Sequence, residues 1–271
     1  MCIRDSKSKR FYFNGRGNEG CSYKWKKKLL GWKNTCKKGC KSKFSNEGDS
    51  KFLKNSIKSF SKARSRSSFK NKQILSKANE IFFVTEDNFE DFKFLNEDPF
   101  KLNLEIGFGD GKYLTEHALN NPKQSFIGIE VFESGLANTY KKIEKLNITN
   151  LKLIQGDVSE IFSKNKSKNL FDLITIFFPD PWPKSKHKKR RLLKKNFFLI
   201  LKSLLKKEGK IIIKTDWQDY AKEIMETLND LKFEFDQESS SVDSKEFITK
   251  YEEIALLEKR TVTTFLIHSI S

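Results

Sequence analysis

The sequence of 271 residues has little cysteine and no long apolar segment. All four cysteines lie within the first 40 residues, which leaves the rest of the chain without a disulfide framework and favours a reducing compartment. No run of 18 or more apolar residues is present, and the start lacks the apolar stretch of a secretory signal peptide. We therefore expect no membrane span and a cytoplasmic location.

Metal-binding patterns are also missing from the sequence. Cys36 and Cys40 are separated by three residues, with Cys21 upstream, and this spacing matches no common zinc site. The three histidines lie far from one another in the sequence. We therefore predict that the protein binds no metal.

Positive charge is abundant, and its distribution is uneven. Residues 1–80 contain 23 Lys and Arg against 5 Asp and Glu, whereas residues 81–271 contain 30 of each, so the net charge of +18 belongs to the N-terminal part. A basic arm on a neutral folded body favours a polyanionic partner, although a solvated lysine-rich tail would have the same composition. We predict a disordered basic extension at 1–55 and a basic and aromatic segment at 56–100 that packs on a core formed by 101–271.

Short apolar runs alternate with helical patterns from residue 101 onward. Strands are predicted at 102–106, 125–130, 150–154, 171–178 and 209–217, with helices at 112–119, 133–146, 190–206 and 220–231. A final strand at 260–267 alternates in polarity, as an edge or antiparallel strand does. This order predicts an α/β fold: a Rossmann-like, doubly wound, mostly parallel sheet with an antiparallel terminal strand.

Each of four successive predicted strands ends in a carboxylate: Glu105, Glu130, Asp157 and Asp180. Such sheets bind ligands at the carboxyl ends of their strands. The glycines after the first strand, including Gly107 and Gly109, follow a G-x-G-x-G spacing that fits neither common phosphate-binding motif. These four carboxylates form an acidic rim at the edge of the sheet, and this rim suits a ligand with an amino group and a ribose but no phosphate. S-adenosylmethionine fits that description, with its amino group near Glu105, ribose near Glu130, adenine near Asp157 and sulfonium near Asp180.

The last of these carboxylates sits in a proline-rich turn. Three of the five prolines fall within five residues, at Pro179, Pro181 and Pro183, and each restricts both its own backbone and the preceding residue. The turn also carries Trp182, whose indole is held in this stiff segment. Eight basic residues follow within 184–195. We interpret the turn as the centre of the site.

These motifs together resemble the bacterial tRNA (guanine-N7)-methyltransferase family, whose members are class I S-adenosylmethionine-dependent methyltransferases. The resemblance covers about 100–268 and is most specific in the turn Phe178-Pro-Asp-Pro-Trp-Pro-Lys184. A weaker likeness to the family's N-terminal basic motif covers 57–73. The other matching motifs are Glu105-Ile-Gly-Phe-Gly-Asp-Gly, Gly128-Ile-Glu130, Gly156-Asp157-Val158, Lys214-Thr-Asp216 and Thr249-Lys-Tyr-Glu252.

The resemblance implies methyl transfer to N7 of the guanine at tRNA position 46, in the variable loop. It implies that Asp180 is the catalytic residue and that the cofactor-binding residues are Glu105, Gly107, Gly109, Glu130, Asp157 and Asp180. The implied substrate-binding residues are Lys184, Asp216, Thr249, Lys250, Tyr251 and Glu252. The implied contacts to the tRNA backbone are Lys186, His187, Lys188, Lys189, Arg190 and Arg191. For Trp182 we weigh two roles, a stacking surface for the target base and an anchor for the loop.

Three other functions are compatible with the predicted fold. An amino-methyltransferase acting on adenine or on a protein amide would carry an Asn/Asp-Pro-Pro-Tyr-like tetrad, which Asp180-Pro-Trp-Pro183 does not match. A non-catalytic RNA-binding protein would not need the acidic rim, and a nicotinamide dehydrogenase would need a different glycine spacing. For the quaternary structure we expect a monomer or a weak homodimer.

Overall fold

In the computed structural model, the described residues are 69–78, 83–86, 89, 92, 101–240 and 249–268. The predicted extension at 1–55 lies outside them, and the segment at 56–100 is described only in part. The strands are β1 (Phe83–Thr85), β2 (Leu102–Ile106), β3 (Ser125–Glu130), β4 (Leu151–Gln155), β5 (Phe171–Phe177), β6 (Leu205–Thr215), β7 (Phe235–Ser240) and β8 (Val262–His268). The α-helices are α1 (Phe69–Lys77), α2 (Lys112–Asn120), α3 (Glu133–Leu146), α4 (Val158–Lys164), α5 (Lys195–Leu204), α6 (Gln218–Asp230) and α7 (Lys250–Leu257).

Within the described residues the strands form one sheet, in the order β1-β4-β3-β2-β5-β6-β8-β7. The strands from β1 to β6 pair in parallel, and β8 runs antiparallel to both β6 and β7. The predicted doubly wound, mostly parallel sheet with an antiparallel terminal strand is confirmed. The first central strand, β2, has β3 on one side and β5 on the other, so the direction of winding reverses between β2 and β5.

Burial explains why these segments form central strands. Every residue of β2 and β3 is buried, including the polar residues Asn103 and Glu130. Strands covered on both faces by helices have few exposed positions, so their sequences are rich in Leu, Ile and Phe rather than strictly alternating. The two glutamates at the ends of these strands are therefore buried by the architecture itself.

Helix α3 shows how the helices cover the sheet. Leu136, Tyr140 and Ile143 recur at a helical spacing and are buried against the sheet. Helix α1 lies on the same cluster, where Ile74 and Leu75 pack against it. The N-terminal part of the chain therefore covers α3 at the point where the structure describes it.

An aromatic cluster covers the start of β5, at Phe171. Phe92 is fully buried, and its ring meets Phe171 edge-on with the centroids 5.4 Å apart. Phe89 and Phe162 also contact the ring of Phe92. Each such aromatic contact adds about 1 kcal/mol beyond simple burial.

One predicted helix, at 190–206, is wrong at both of its ends. The segment predicted as a helix at 190–206 forms a short 3-10 helix at Ser185–Arg190, an extended stretch, and then α5 from Lys195. Apolar side chains recur at a helical spacing only within α5, where Phe197, Phe198, Leu201 and Leu204 are buried. The helix begins where that apolar face begins.

Strand β6 starts at Leu205, four residues before the predicted start at 209. Its pairing with β5 is irregular between Phe171 and Leu173. A β-carbon on Gly209 would lie 2.8 Å from the carbonyl oxygen of Phe171, so this close approach of two strands needs glycine. The polar residues 206–208 obscure this part of the strand in the sequence.

Candidate active site

An open cleft of about 330 Å³ lies at the carboxyl ends of β2 and β3, beside the point where the winding reverses. Side chains from three parts of the chain meet there: the loops after β2 and β3, the end of β5, and the start of α7. The described residues that line it are Glu105, Gly107, Phe108, Gly109, Asp110, Lys112, Tyr113, Glu130, Phe132, Ser134, Gly135, Asn138, Phe177, Phe178, Thr249, Lys250 and Tyr251.

The glycine turn after β2 forms the floor of the cleft. Gly107 has a φ of 73°, which favours glycine, and no atom lies within 4 Å of where its β-carbon would be. A ligand can therefore approach the backbone closely at this point. On the far side of the turn, a β-carbon on Gly135 would lie 2.2 Å from the carbonyl oxygen of Gly109. Helix α3 can contact the turn only because residue 135 has no side chain.

Glu130 fixes the position of the glycine turn. Its Oε2 accepts a hydrogen bond from the backbone nitrogen of Gly109 at 2.8 Å. Its Oε1 accepts from the nitrogens of Val131 and Phe132 at 2.7 and 3.1 Å. Burial raises the pKa of Glu130, the three backbone hydrogen bonds lower it, and the charge of Asp180 raises it. The carboxylate thus holds two loops together and still faces the cleft.

Glu105 is the most perturbed acid of the cleft. It is 4% exposed, and its Oε2 has no hydrogen-bond partner among the residues that the structure describes. Burial, followed by the charges of Glu130 and Asp110, raises its pKa from 4.5 to about 8. A buried carboxyl with an uncommitted oxygen in a cleft is typical of a ligand site, since buried polar groups are otherwise paired. A cationic group beside it would favour the ionised form.

Asp180 lies on the rim in the turn that follows β5. Its side chain is exposed, yet neighbouring groups remove enough water from the carboxyl to raise its pKa. The flanking residues Phe178 and Trp182 have φ values of 51° and 43°, in the left-handed region that aromatic residues rarely adopt. Backbone strain of this kind is concentrated at functional sites, where the surrounding structure maintains it.

The sequence profile of a family described as "Putative methyltransferase" matches residues 100–265. The match covers β2 to β7, most of β8 and every residue that lines the cleft. The chain belongs to this methyltransferase family.

Curated relatives of this chain confirm the resemblance found in the motifs. A protein from Nitrosospira multiformis named tRNA (guanine-N(7)-)-methyltransferase is 40% identical over 126 residues, which are 46% of this chain and 55% of that protein. A protein of the same name from Nitrosomonas europaea is 42% identical over 125 residues, with 46% and 56% covered. The chain spans about half the length of the curated relatives it matches.

Among solved structures, the 16S rRNA methyltransferase KamB has a TM-score of 0.50 and 12% identity to this chain. The similarity covers 66% of this chain and 93% of that chain. At this identity the comparison supports the methyltransferase fold and nothing finer.

The structure brings most of the predicted cofactor residues together. Glu105, Gly107, Gly109 and Glu130 line the cleft, and Asp180 is close enough to Glu130 to influence its pKa. Asp157 does not line the described cleft. It caps α4, since its Oδ1 accepts from the backbone nitrogen of Ser159 at 2.9 Å. Its own backbone nitrogen donates to Glu86 Oε2 at 2.8 Å.

The predicted substrate residues fall into two groups. Thr249, Lys250 and Tyr251 line the cleft, and the ring of Tyr251 lies 6.3 Å from that of Phe178 at an angle of 30°. Glu252 lies in the same turn of α7 but faces the sheet.

The second group consists of Glu252 and Asp216, which are held by ion pairs, and the exposed Lys184. Oε1 of Glu252 pairs with Lys214 at 2.8 Å, while Oε2 is buried without a partner among the described residues. Asp216 pairs with Arg260. Lys184 is exposed beyond the proline turn.

The six residues predicted to contact RNA do not form one uniform surface. Lys186 and Lys189 are exposed, while His187, Lys188 and Arg190 are half-buried. The predicted contact of Arg191 with RNA does not fit the structure, because this residue is 3% exposed and its guanidinium is enclosed by protein groups. We retain the RNA-contact prediction for the other five.

Several cleft residues were not predicted from the sequence. Tyr113 lies in the first turn of α2, and its ring meets Phe177 edge-on at 4.7 Å. Burial raises the pKa of Tyr113, and the nearby Glu105 and Glu252 add to the effect. A tyrosine one residue past the start of a helix that follows a glycine turn was the available signal. Lys214 lies in one of the motifs that carry the resemblance, but the sequence did not predict its ion pair with Glu252.

Two features are absent from the described residues. No group of three or more His, Cys, Asp or Glu side chains there has an arrangement that would hold a metal ion. Within the same residues no helix is both long and apolar enough to cross a membrane.

Proposed function

We propose that this protein transfers a methyl group from S-adenosylmethionine to N7 of a guanine in tRNA, the variable-loop guanine implied by the resemblance. The observation that carries the proposal is the cleft carboxyl of Glu105, buried with an uncommitted oxygen beside an open glycine turn. The names of the curated relatives support the same reaction. The exposed lysines next to Asp180 support an RNA substrate.

The residues of the cleft fit S-adenosylmethionine. The uncommitted oxygen of Glu105 suits the cofactor's amino group, and the open backbone at Gly107 leaves room for it. In this proposal Glu130 faces the ribose, Asp157 lies at the adenine end, and Gly109 belongs to the turn that Glu130 holds in place. When bound, the cofactor supplies an electrophilic methyl group on a sulfonium. Burial raises the pKa of Glu105 and of Glu130, and a positively charged ligand beside them would offset that effect and favour their ionised forms.

The protein needs no general base for this reaction, because guanine N7 carries a lone pair and no proton. The main tasks of the site are to align the base with the methyl group and to exclude water. In the proposal Asp180 is the catalytic residue that orients the base, accepting hydrogen bonds from its Watson–Crick edge and leaving N7 free. Carboxylates that accept such bonds are well suited to select guanine.

The start of α7 forms the other wall of the proposed substrate site. Lys250 and Tyr251 face the cleft, whereas Glu252 faces the sheet and supports this wall through its ion pair with Lys214. Tyr251 is 60% exposed, so a flat base can stack on it. Thr249 stabilises this wall because its Oγ1 accepts from the backbone nitrogen of Glu252 at 3.1 Å. Asp216 and Lys184 remain in the proposal as contacts to the nucleotides around the base.

The test is methyl transfer from labelled cofactor to unmodified tRNA, followed by identification of the modified nucleoside. Wild type is compared with Asp180→Asn, which keeps the shape of the side chain, and with Asp230→Asn, an exposed control at the end of α6. We expect 7-methylguanosine from wild type and from the control, and a loss of roughly 100-fold or more with Asp180→Asn.

Other outcomes contradict the proposal in distinct ways. Methylated adenosine as the product would support the amino-methyltransferase alternative. Tight tRNA binding without any methyl transfer would support an RNA-binding protein that kept the fold.

A further inference from the structure

Arg191 differs from every other basic residue in the run at 184–195. Its side chain has no exposed surface, whereas Lys184, Lys186 and Lys189 are exposed. A charged group is rarely buried unless protein partners compensate for the lost water. The partners of Arg191 therefore indicate what the residue does.

Each part of the guanidinium has a partner. Its Nε donates to the carbonyl oxygen of Pro181 at 2.8 Å. One terminal nitrogen donates to Asp219 at 2.6 Å, and the other pairs with Glu223. The guanidinium carbon also lies 4.7 Å from the ring centre of Tyr220, over its face. The residue thus ties the proline turn to α6 through one planar group.

Two features make this arrangement rigid. Asp219 and Glu223 are one helical turn apart on α6, so the forked guanidinium can meet both carboxylates at once. Tyr220 is fully buried, and its hydroxyl accepts from the backbone nitrogen of Leu193, which fixes the chain just after Arg191. A lysine offers one compact charge and cannot make the three contacts together.

The contact at Pro181 restricts the catalytic turn. The proline ring already fixes φ at residue 181, and a hydrogen bond to its carbonyl restricts the adjacent ψ. On the other side of Asp180, the backbone nitrogen of Phe178 donates to the carbonyl oxygen of Lys214 at 2.8 Å. The carboxylate of Asp180 therefore sits between two backbone anchors, one of which is made by Arg191.

We infer that Arg191 is a positioning residue that holds the Asp180 turn in its reactive conformation, and that it does not bind RNA. The inference rests on the proposed function, in which Asp180 orients the base. A buried ion pair contributes little net stability compared with apolar side chains of the same size. A buried arginine next to the catalytic turn is therefore explained better by the geometry it imposes than by stability.

The kinetic test compares Arg191→Lys with Lys189→Ala, an exposed position in the same basic run. Arg191→Lys should lower kcat for tRNA by roughly 10- to 100-fold, since small displacements of a reacting group cost about that much. It should leave the KM for tRNA within about twofold of wild type. Lys189→Ala should instead raise KM and reduce the slope of binding against salt concentration by about one.

A second readout does not depend on activity. The indole signal of Trp182 in an NMR spectrum, identified by its loss in Trp182→Phe, should shift or broaden in Arg191→Lys as the turn becomes mobile. If Arg191→Lys does not fold, Glu223→Gln replaces it, because the amide keeps an acceptor beside the guanidinium. We then expect the same fall in kcat and the same change in the indole signal, each smaller than in Arg191→Lys.

The inference is overturned if Arg191→Lys behaves like Lys189→Ala, with a higher KM, a smaller salt slope and an unchanged kcat. An unchanged indole signal also overturns it. Absence of methyl transfer by wild type would contradict the proposed function alone, because the indole signal still reports whether Arg191 holds the turn.

Discussion

Glu105→Gln tests the electrostatics of the cleft most directly, because the two side chains have nearly the same shape and only one can ionise. In the folded protein the pKa of Glu105 is raised from 4.5 to about 8, chiefly by burial. Between these two values the folded state keeps its proton and the unfolded state loses it. The free energy of unfolding therefore falls as the pH rises through this window, and it levels off above the folded pKa.

The magnitude follows from the size of the pKa difference. One pKa unit corresponds to about 1.4 kcal/mol, so the ionisable side chain costs the folded state about 3 kcal/mol at pH 7 and about 5 kcal/mol above pH 8. A glutamine at this position carries no such penalty. We expect the two proteins to be about equally stable near pH 4.5, with the glutamine variant gaining about 1.4 kcal/mol per pH unit up to pH 8.

The assay is urea unfolding of both proteins at intervals from pH 5 to pH 8, and the difference between the two free energies is compared across pH. Glu144→Gln, an exposed change on α3, is the control, and its difference from wild type should not vary with pH. A difference for Glu105→Gln that also stays constant would refute the reasoning. It would mean that water or a bound cation reaches the carboxyl and lets it ionise normally.

Two further predictions concern the framework of the cleft. Gly135→Ala places a β-carbon against the carbonyl of Gly109, and we expect the free energy of unfolding in urea to fall by about 1–3 kcal/mol. Calorimetry should show at least tenfold weaker binding of S-adenosylhomocysteine. Lys141→Ala, exposed on the same helix, is the control, and equal affinity in the two variants would contradict the prediction. Lys214→Met leaves the carboxylate of Glu252, which is 9% exposed, without its cation and should lower the free energy of unfolding by about 3 kcal/mol. The double variant with Glu252→Gln should recover most of this loss. If it does not, loss of the ion pair is not the cause.

Local sequence patterns were sufficient to predict the central part of the fold. The bounds of β2, β3 and α3 agree with the prediction because each combines an apolar repeat with a clear end, such as a glycine turn after β2. The carboxylates at the strand ends could be predicted for the same reason. Parallel strands present their ends at one edge of the sheet, so the position along each strand was enough to bring Glu105 and Glu130 together.

Elements that depend on distant partners could not be predicted in this way. Strand β7 has the sequence Phe-Asp-Gln-Glu-Ser-Ser, which lacks an apolar repeat, and it forms because it pairs with β8. Strand β1 has three residues and depends on β4 in the same way. Arg191 lies in a run whose composition is typical of an exposed surface, and its burial depends on carboxylates of α6 about 30 residues later.

The basic run therefore combines two physical tasks that composition alone does not separate. Its exposed lysines keep their water and their mobility, which suits contacts to phosphates that need charge and little geometry. Its buried arginine loses both, and the fold offsets that cost with two carboxylates and a tyrosine ring. The strained residues Phe178 and Trp182 add a further cost of about 1–3 kcal/mol each in the same turn. Both unfavourable terms act on the turn that holds Asp180, the strain directly and the buried arginine through its hydrogen bond to Pro181. This is expected where the position of one carboxylate matters more than the stability of the turn around it.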